Sequence, residues 1–258
     1  MRVLTVVLLT CAAAHAAVET ETIAYHEGDT ELMGYLARNP AIDDPMPGIL
    51  IVHEWTGLGE HPKNSARRLA ELGYVAFALD MYGGGKLAED STQAAEWSST
   101  FKNDPALARR RFEAALKTLE NQPGVDPERI AAIGYCFGGT IVLEMARLGV
   151  DVQAVVSFHG GLASNVPEDQ RNLEAPVLVC HGAADPHVPQ EEVKAFLDEM
   201  KAANAKFEFV QYQDAVHSFT NPEADSESAR FDPTAARRSW IAMLNFLELV
   251  FAGAPAYK

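Results

Sequence analysis

The sequence predicts an α/β fold: a mostly parallel, twisted sheet with helices on both faces, entered through an N-terminal β-hairpin. Three observations predict it. Short apolar runs alternate with amphipathic stretches along most of the chain. A glycine-flanked turn, Gly134-Tyr135-Cys136-Phe137-Gly138-Gly139, joins one apolar run directly to a helical one. Near the start, two β-forming segments flank Gly28-Asp29.

In chain order, residues 20–25 and 31–37 read as the hairpin strands. Residues 49–53 form a continuous apolar strand, the pattern of a strand covered on both faces. A helix over 66–72, a strand over 75–80 and a long helical stretch to Leu119 follow. Asp126-Pro127-Glu128 marks the turn into a strand at 129–133, after which 140–148 is helical and stops at Gly149. Strands at 155–159, 176–182 and 207–212 alternate with a helix over 191–202, and a last helix spans 235–251. In that last helix Leu244, Phe246, Leu247 and Phe251 read as core contacts. No internal repeat interrupts the pattern, so residues 17–258 read as one domain.

The glycine-flanked turn carries the chemistry. A strand, a sharp turn and a helix with the pattern G-x-nucleophile-x-G form a nucleophile elbow, here with Cys136 where serine is usual. Side chains larger than hydrogen beside the nucleophile would collide as strand and helix close on each other. Asp185 lies just past the strand at 176–182, and His217 lies in the loop after the strand at 207–212. Nucleophile, carboxylate, histidine is the order of α/β-hydrolases, and each residue follows a strand. Taken singly, Asp185 reads as a turn cap and His217 as a surface loop residue; the ordered coincidence is what points to a triad. His217 would hold the thiol proton and Asp185 would fix the imidazole tautomer. Two backbone donors are expected for an oxyanion: the N–H of Phe137 and that of Trp55, in the loop His53-Glu54-Trp55-Thr56-Gly57.

Together with Glu54 at a strand end, Asp80-Met81-Tyr82 after the next strand and His217-Ser218-Phe219, the elbow resembles the dienelactone hydrolase (carboxymethylenebutenolidase) family. The resemblance runs from about Ile23 to the C-terminal helix. It implies an α/β-hydrolase core, a triad of Cys136, Asp185 and His217, and a Glu54 that contacts the resting thiol and helps generate the thiolate. A solvated charge at a strand end is the plainer reading of Glu54. The family's dienelactone-cleaving members hold the substrate carboxylate with two arginines, where this chain has Gly83-Gly84-Gly85 and Asn221. Lys86 is at best a displaced substitute, because a planar guanidinium clamp is not reproduced by an ammonium. The triad therefore carries over and dienelactone selectivity does not.

Sulfur constrains the substrate further. A thiolate leaves a tetrahedral intermediate more readily than an alkoxide, so attack on a plain alkyl ester tends to reverse. Activated esters and lactones, with stabilised leaving groups, are the expected substrates, cleaved through a thioester acyl-enzyme. A reading of a different class stays open: a catalytically weak thiol or ligand-binding protein on the same scaffold. A peptidase fits less well, since no extended cleft can be read.

The remaining features bound the function. The formal charge of -15 argues against a nucleic-acid or anionic-membrane partner. Gly83-Gly84-Gly85-Lys86 lacks phosphate-loop spacing and reads as a flexible loop. His53, Glu54, Glu60 and His61 do not make a helical zinc motif, so no metal or cofactor is expected. His159 and His181 read as buried, hydrogen-bonded histidines, and Trp97 and Phe101 as a pocket roof or as helix packing. Arg2, the apolar stretch from Val3 to Ala14 and Ala14-His15-Ala16 form a secretory leader cut after Ala16, too short to span a membrane. Secretion or a periplasmic location follows. Of the cysteines left, Cys136 and Cys180 sit two strands apart, roughly 9–10 Å, beyond disulfide reach.

Overall fold

A computed structural model describes residues 18–42 and 44–254. The leader read over residues 1–16 lies outside them. Eight strands form one sheet: β1 (Glu19–Glu27), β2 (Thr30–Arg38), β3 (Met46–Val52), β4 (Val75–Leu79), β5 (Val125–Tyr135), β6 (Ala154–Phe158), β7 (Val177–Gly182) and β8 (Phe207–Tyr212). Their order across the sheet is β1-β2-β4-β3-β5-β6-β7-β8. β1 and β2 pair antiparallel and β2 joins β4 antiparallel; from β4 to β8 every pairing is parallel. This is the α/β-hydrolase arrangement of a mostly parallel sheet led by a hairpin.

Among the described residues six α-helices cover it: α1 (Glu60–Glu71), α2 (Ser91–Asn103), α3 (Pro105–Glu120), α4 (Phe137–Arg147), α5 (Gln190–Ala202) and α6 (Pro233–Phe251). Alternation along β3 shows why both faces need cover. Leu50 and Val52 face a core completed by Phe112 of α3, Val142 of α4 and Phe196 of α5. Ile49 and Ile51 face a second core with Leu69 of α1 and Phe246 and Leu247 of α6. β4, β6 and β7 are buried at every position, the expected cost of helices on both sides.

Two local readings change. The helical stretch to Leu119 is two helices, because Asp104 ends α2 and caps α3, accepting from Leu107 N at 2.9 Å, with Pro105 at the first helical position. The turn at Asp126-Pro127-Glu128 lies within β5 as an irregularity: Pro47 pairs Asp126, and Gly48 already pairs Ile130. Proline cannot donate to a ladder, so the chain bulges there and resumes its register.

An ion-pair network fixes the segment after β6. Arg147, 1 % exposed, binds Glu144 Oε1 at 2.7 Å, Glu199 Oε2 at 2.8 Å and the Leu162 carbonyl at 2.7 Å. Glu144 in turn accepts from Ser164 Oγ and Val166 N. Arg147→Met leaves a buried carboxylate without its cation and is expected to cost about 3–5 kcal/mol. Urea denaturation of both proteins checks this, and a loss under about 1 kcal/mol would show the network to be dispensable.

Candidate active site

Cys136 ends the run of β5 and caps α4 with φ 54° and ψ -116°, a left-handed conformation unfavourable for any residue but glycine. The strain is imposed by close approach on both sides. A Cβ on Gly134 would lie 2.1 Å from the Gly138 carbonyl oxygen, and one on Gly138 would lie 2.2 Å from that of Val52. The elbow thus packs backbone against backbone and lifts the sulfur out of the core. The Cys136 N–H is turned inward, donating to Phe158 O at 3.0 Å and His159 Nδ1 at 3.1 Å.

The three residues in triad order meet. His217 Nε2 lies 2.9 Å from Cys136 Sγ, and its Nδ1 lies 2.8 Å from Asp185 Oδ2. The Asp185 carboxylate is fully buried and also accepts from His187 N at 2.8 Å. The loop after β8 is held around the imidazole, with His217 N bonded to Ser228 O and the His217 carbonyl accepting from Arg230 N. Burial works against charge on His217, but the neighbouring Cys136 sulfur and Asp185 outweigh it and push its pKa up to about 10. The surroundings thus favour a proton on the imidazole more than those of an ordinary histidine do, and Nε2 lies within hydrogen-bond distance of the sulfur.

The sign of this linkage sets a prediction. His217 is raised above its usual 6.5, so its contribution to stability is fully present below about pH 6.5 and is lost as pH climbs through about 10. Cys136→Ala removes the largest raising influence, so the imidazole's titration midpoint in NMR should fall toward the ordinary histidine range. A midpoint unmoved by the substitution would mean that the sulfur is not what raises it.

Around this core the loops are cross-tied. Phe137 occupies the first position of α4, where the helix offers its N–H no acceptor. Trp55 is partly exposed, and its carbonyl accepts from Tyr82 Oη at 2.8 Å. His53 Nε2 accepts from Met81 N, which places the ring proton on Nδ1, donated to the Glu54 carbonyl at 2.6 Å. Ala88 N bonds Thr56 O, so the loops after β3 and β4 are stitched together beside the elbow. Tyr82 packs at 5.3 Å from Trp97, and at 5.7 Å from both Phe101 and Phe137. Phe101 of α2 also packs 6.4 Å from Phe137, while Trp97 reaches the elbow only through Tyr82.

Several expectations are modified. No hydrogen bond joins Glu54 to Cys136 among the described residues; Glu54 Oε2 accepts from Asn221 Nδ2 at 2.7 Å and lies 3.6 Å from His61 Nδ1. Gly83-Gly84-Gly85 is no slack loop. Met33, Tyr82, Gly83 and Gly85 all donate N–H groups to the Asp80 carboxylate at 2.8–3.1 Å, a convergence that the left-handed glycines permit. Lys86 is exposed and forms no ion pair among the described residues. His181 is buried, but neither ring nitrogen has a hydrogen-bond partner, and burial lowers its pKa. Cys136 and Cys180 are both free, and burial pushes the Cys180 thiol up to about 12, leaving it inert.

His159 has a role that its sequence context did not reveal. Its Nδ1 accepts the Cys136 N–H, so Nε2 carries the proton and donates to Thr220 Oγ1 at 2.7 Å. Burial first, then the nearby His217 and His61, holds its pKa well below the usual value, which keeps Nδ1 an acceptor. The pairing Tyr135↔Phe158 was the available signal, since it sets residues 136 and 159 side by side at the strand ends.

Residues 32–251 match the Dienelactone hydrolase family. The chain belongs to that family. Similar chains include a Salmonella typhimurium (strain LT2) protein provisionally named carboxymethylenebutenolidase, 31% identical over 232 residues, covering 85% of this chain and 83% of the relative. A Caenorhabditis elegans protein, uncharacterized K02A2.1, is 40% identical over 148 residues, covering 55% of this chain and 93% of its own. Among solved structures, a dienelactone hydrolase-like promiscuous phosphotriesterase from metagenomic libraries is 39% identical with TM-score 0.87, covering 91% of this chain and 99% of that one. The dienelactone hydrolase family is a hydrolase family, and a small-molecule substrate goes with it. No helix among the described residues is long and apolar enough to cross a membrane.

Proposed function

We propose that this dienelactone hydrolase family member cleaves activated esters and lactones by acyl transfer through Cys136. The observation that carries the reading is the chain of two short contacts, Cys136 Sγ to His217 Nε2 at 2.9 Å and His217 Nδ1 to Asp185 Oδ2 at 2.8 Å. The sulfur attacks the carbonyl carbon as its proton stays on His217. Negative charge gathers on the carbonyl oxygen, facing the N–H groups of Phe137 and Trp55. The C–O bond then breaks, His217 Nε2–H protonates the departing oxygen, and a thioester remains on Cys136. Water, deprotonated by His217, cleaves the thioester; the carboxylic acid leaves and the sulfur is regenerated.

Selectivity for dienelactone is not part of the reading. Asn221 stands where the family's carboxylate-binding arginine would be, and it spends its amide on Glu54. Glu54 then acts on the site through Asn221 and His61 rather than through the resting thiol. The phosphotriesterase relative suggests a second electrophile, since a sulfur nucleophile paired with an imidazole also suits an aryl phosphotriester.

Leaving-group dependence tests the proposal. The kcat/KM for 4-nitrophenyl acetate is expected to exceed that for ethyl acetate by at least about 100-fold, because departure of the stabilised phenolate competes with return of the thiolate. Comparable values for the two esters would remove the argument from sulfur. Stoichiometric labelling of Cys136 without turnover would favour a thiol or ligand-binding protein on the same scaffold.

A further inference from the structure

A cavity of about 270 Å³ opens between α1 and α6, on the face of the sheet away from α4, and none of Cys136, Asp185 or His217 lines it. Phe158, Phe231 and Trp240 give it aromatic walls, with Ser65, Thr220 and Ser239 among its polar lining. At its mouth stand two arginines, Arg68 and Arg237. The chain carries a formal charge of -15, and most of its buried or half-buried guanidinium groups find carboxylates, as Arg67 does with Glu60 and Arg147 with Glu144. Arg68 and Arg237 form no ion pair among the described residues. The Arg68 guanidinium is stacked 3.7 Å from the Trp240 ring centroid, so its fork is already placed while its N–H edge stays open. At the inner wall Thr220 Oγ1 receives the His159 proton, and its own hydroxyl proton has no acceptor among the described residues.

We propose that this cavity is a second binding site, for small organic carboxylates with a flat apolar body. The volume equals that of about nine waters at about 30 Å³ each, enough for one aromatic ring and its carboxylate. The ring lies among Phe158, Phe231 and Trp240; the carboxylate meets Arg68 and Arg237 at the mouth. Two guanidinium groups on the lining without carboxylate partners favour an anion over a neutral amide, and the aromatic walls favour an aromatic anion over a bare inorganic ion. No triad residue lines the site, and its existence does not depend on the acyl-transfer reading, although its wall touches the elbow through Thr220 and His159.

The test is calorimetric titration with benzoate as the probe. Saturable binding is expected for the intact protein and equally for protein whose Cys136 has been blocked with iodoacetamide. Arg237→Ala, at an exposed position where alanine suits the helix, is expected to weaken benzoate at least about tenfold. Benzamide and inorganic phosphate are expected to bind at least tenfold more weakly than benzoate. The proposal is overturned if benzoate does not saturate, if blocking Cys136 abolishes binding (the anion then sits at the triad), or if Arg237→Ala or benzamide leaves affinity unchanged.

Discussion

Cys136→Ala is expected to lower kcat/KM for an aryl ester by at least about 1000-fold with the fold intact. Removing a nucleophile leaves whatever binding and oxyanion stabilisation contribute, and in serine triads that residue of activity is small. Cys136→Gly separates chemistry from architecture more sharply. The backbone here sits at φ 54°, which glycine adopts freely and cysteine only under constraint. The glycine variant should therefore be as inactive as the alanine one yet more stable than either, by about 1 kcal/mol. Ester kinetics with thermal denaturation of all three proteins checks both halves. Retention of more than about a tenth of the activity in Cys136→Ala would dismiss the sulfur as nucleophile.

Gly134→Ala is expected to be the most damaging single methyl in the chain. The added carbon would stand 2.1 Å from the carbonyl oxygen and 2.3 Å from the carbonyl carbon of Gly138. Both are backbone atoms at the start of α4, so no side-chain rotation relieves the clash. The strand and helix must separate, and that separation would pull apart the packing of Val142 and Ile141 beneath the elbow. We expect a loss above about 4 kcal/mol, at the far end of single substitutions, with activity lost together with the fold. Denaturant unfolding measures the first and ester turnover the second. A stable variant of ordinary activity would show that the crossing has slack the atomic positions deny.

What was legible in the sequence was what is local or repeats. The alternation of apolar runs gave the parallel sheet, because strands covered on both faces have to be continuously apolar. The elbow was legible because glycine is demanded by backbone contact within five residues, from Gly134 to Gly138. Asp185 and His217 were placed by their strand ends, a property of the fold class. The split between α2 and α3 was also written plainly, in Asn103-Asp104-Pro105, an acidic cap before a proline. It was obscured by helical periodicity on both sides. By contrast, the bond of Asn221 to Glu54 joins residues 167 apart, and no pattern along the chain encodes it. The same holds for the amides gathered on Asp80 from strand β2, Tyr82 and a glycine run. Polar partnerships of this kind are set by tertiary approach, and they decide what Glu54 and Gly83-Gly84-Gly85 do.

The inward-turned amide of Cys136 has a stereochemical consequence. Because that N–H is consumed by Phe158 and His159, it cannot welcome an oxygen beside the sulfur. In the proposed reaction, the donors for the developing oxyanion would then lie on one flank only, toward α4 and the loop after β3. If the proposed acyl transfer holds, a trigonal carbon entering there would present a single prochiral face, and turnover would differ between the two hands of a ring-substituted lactone.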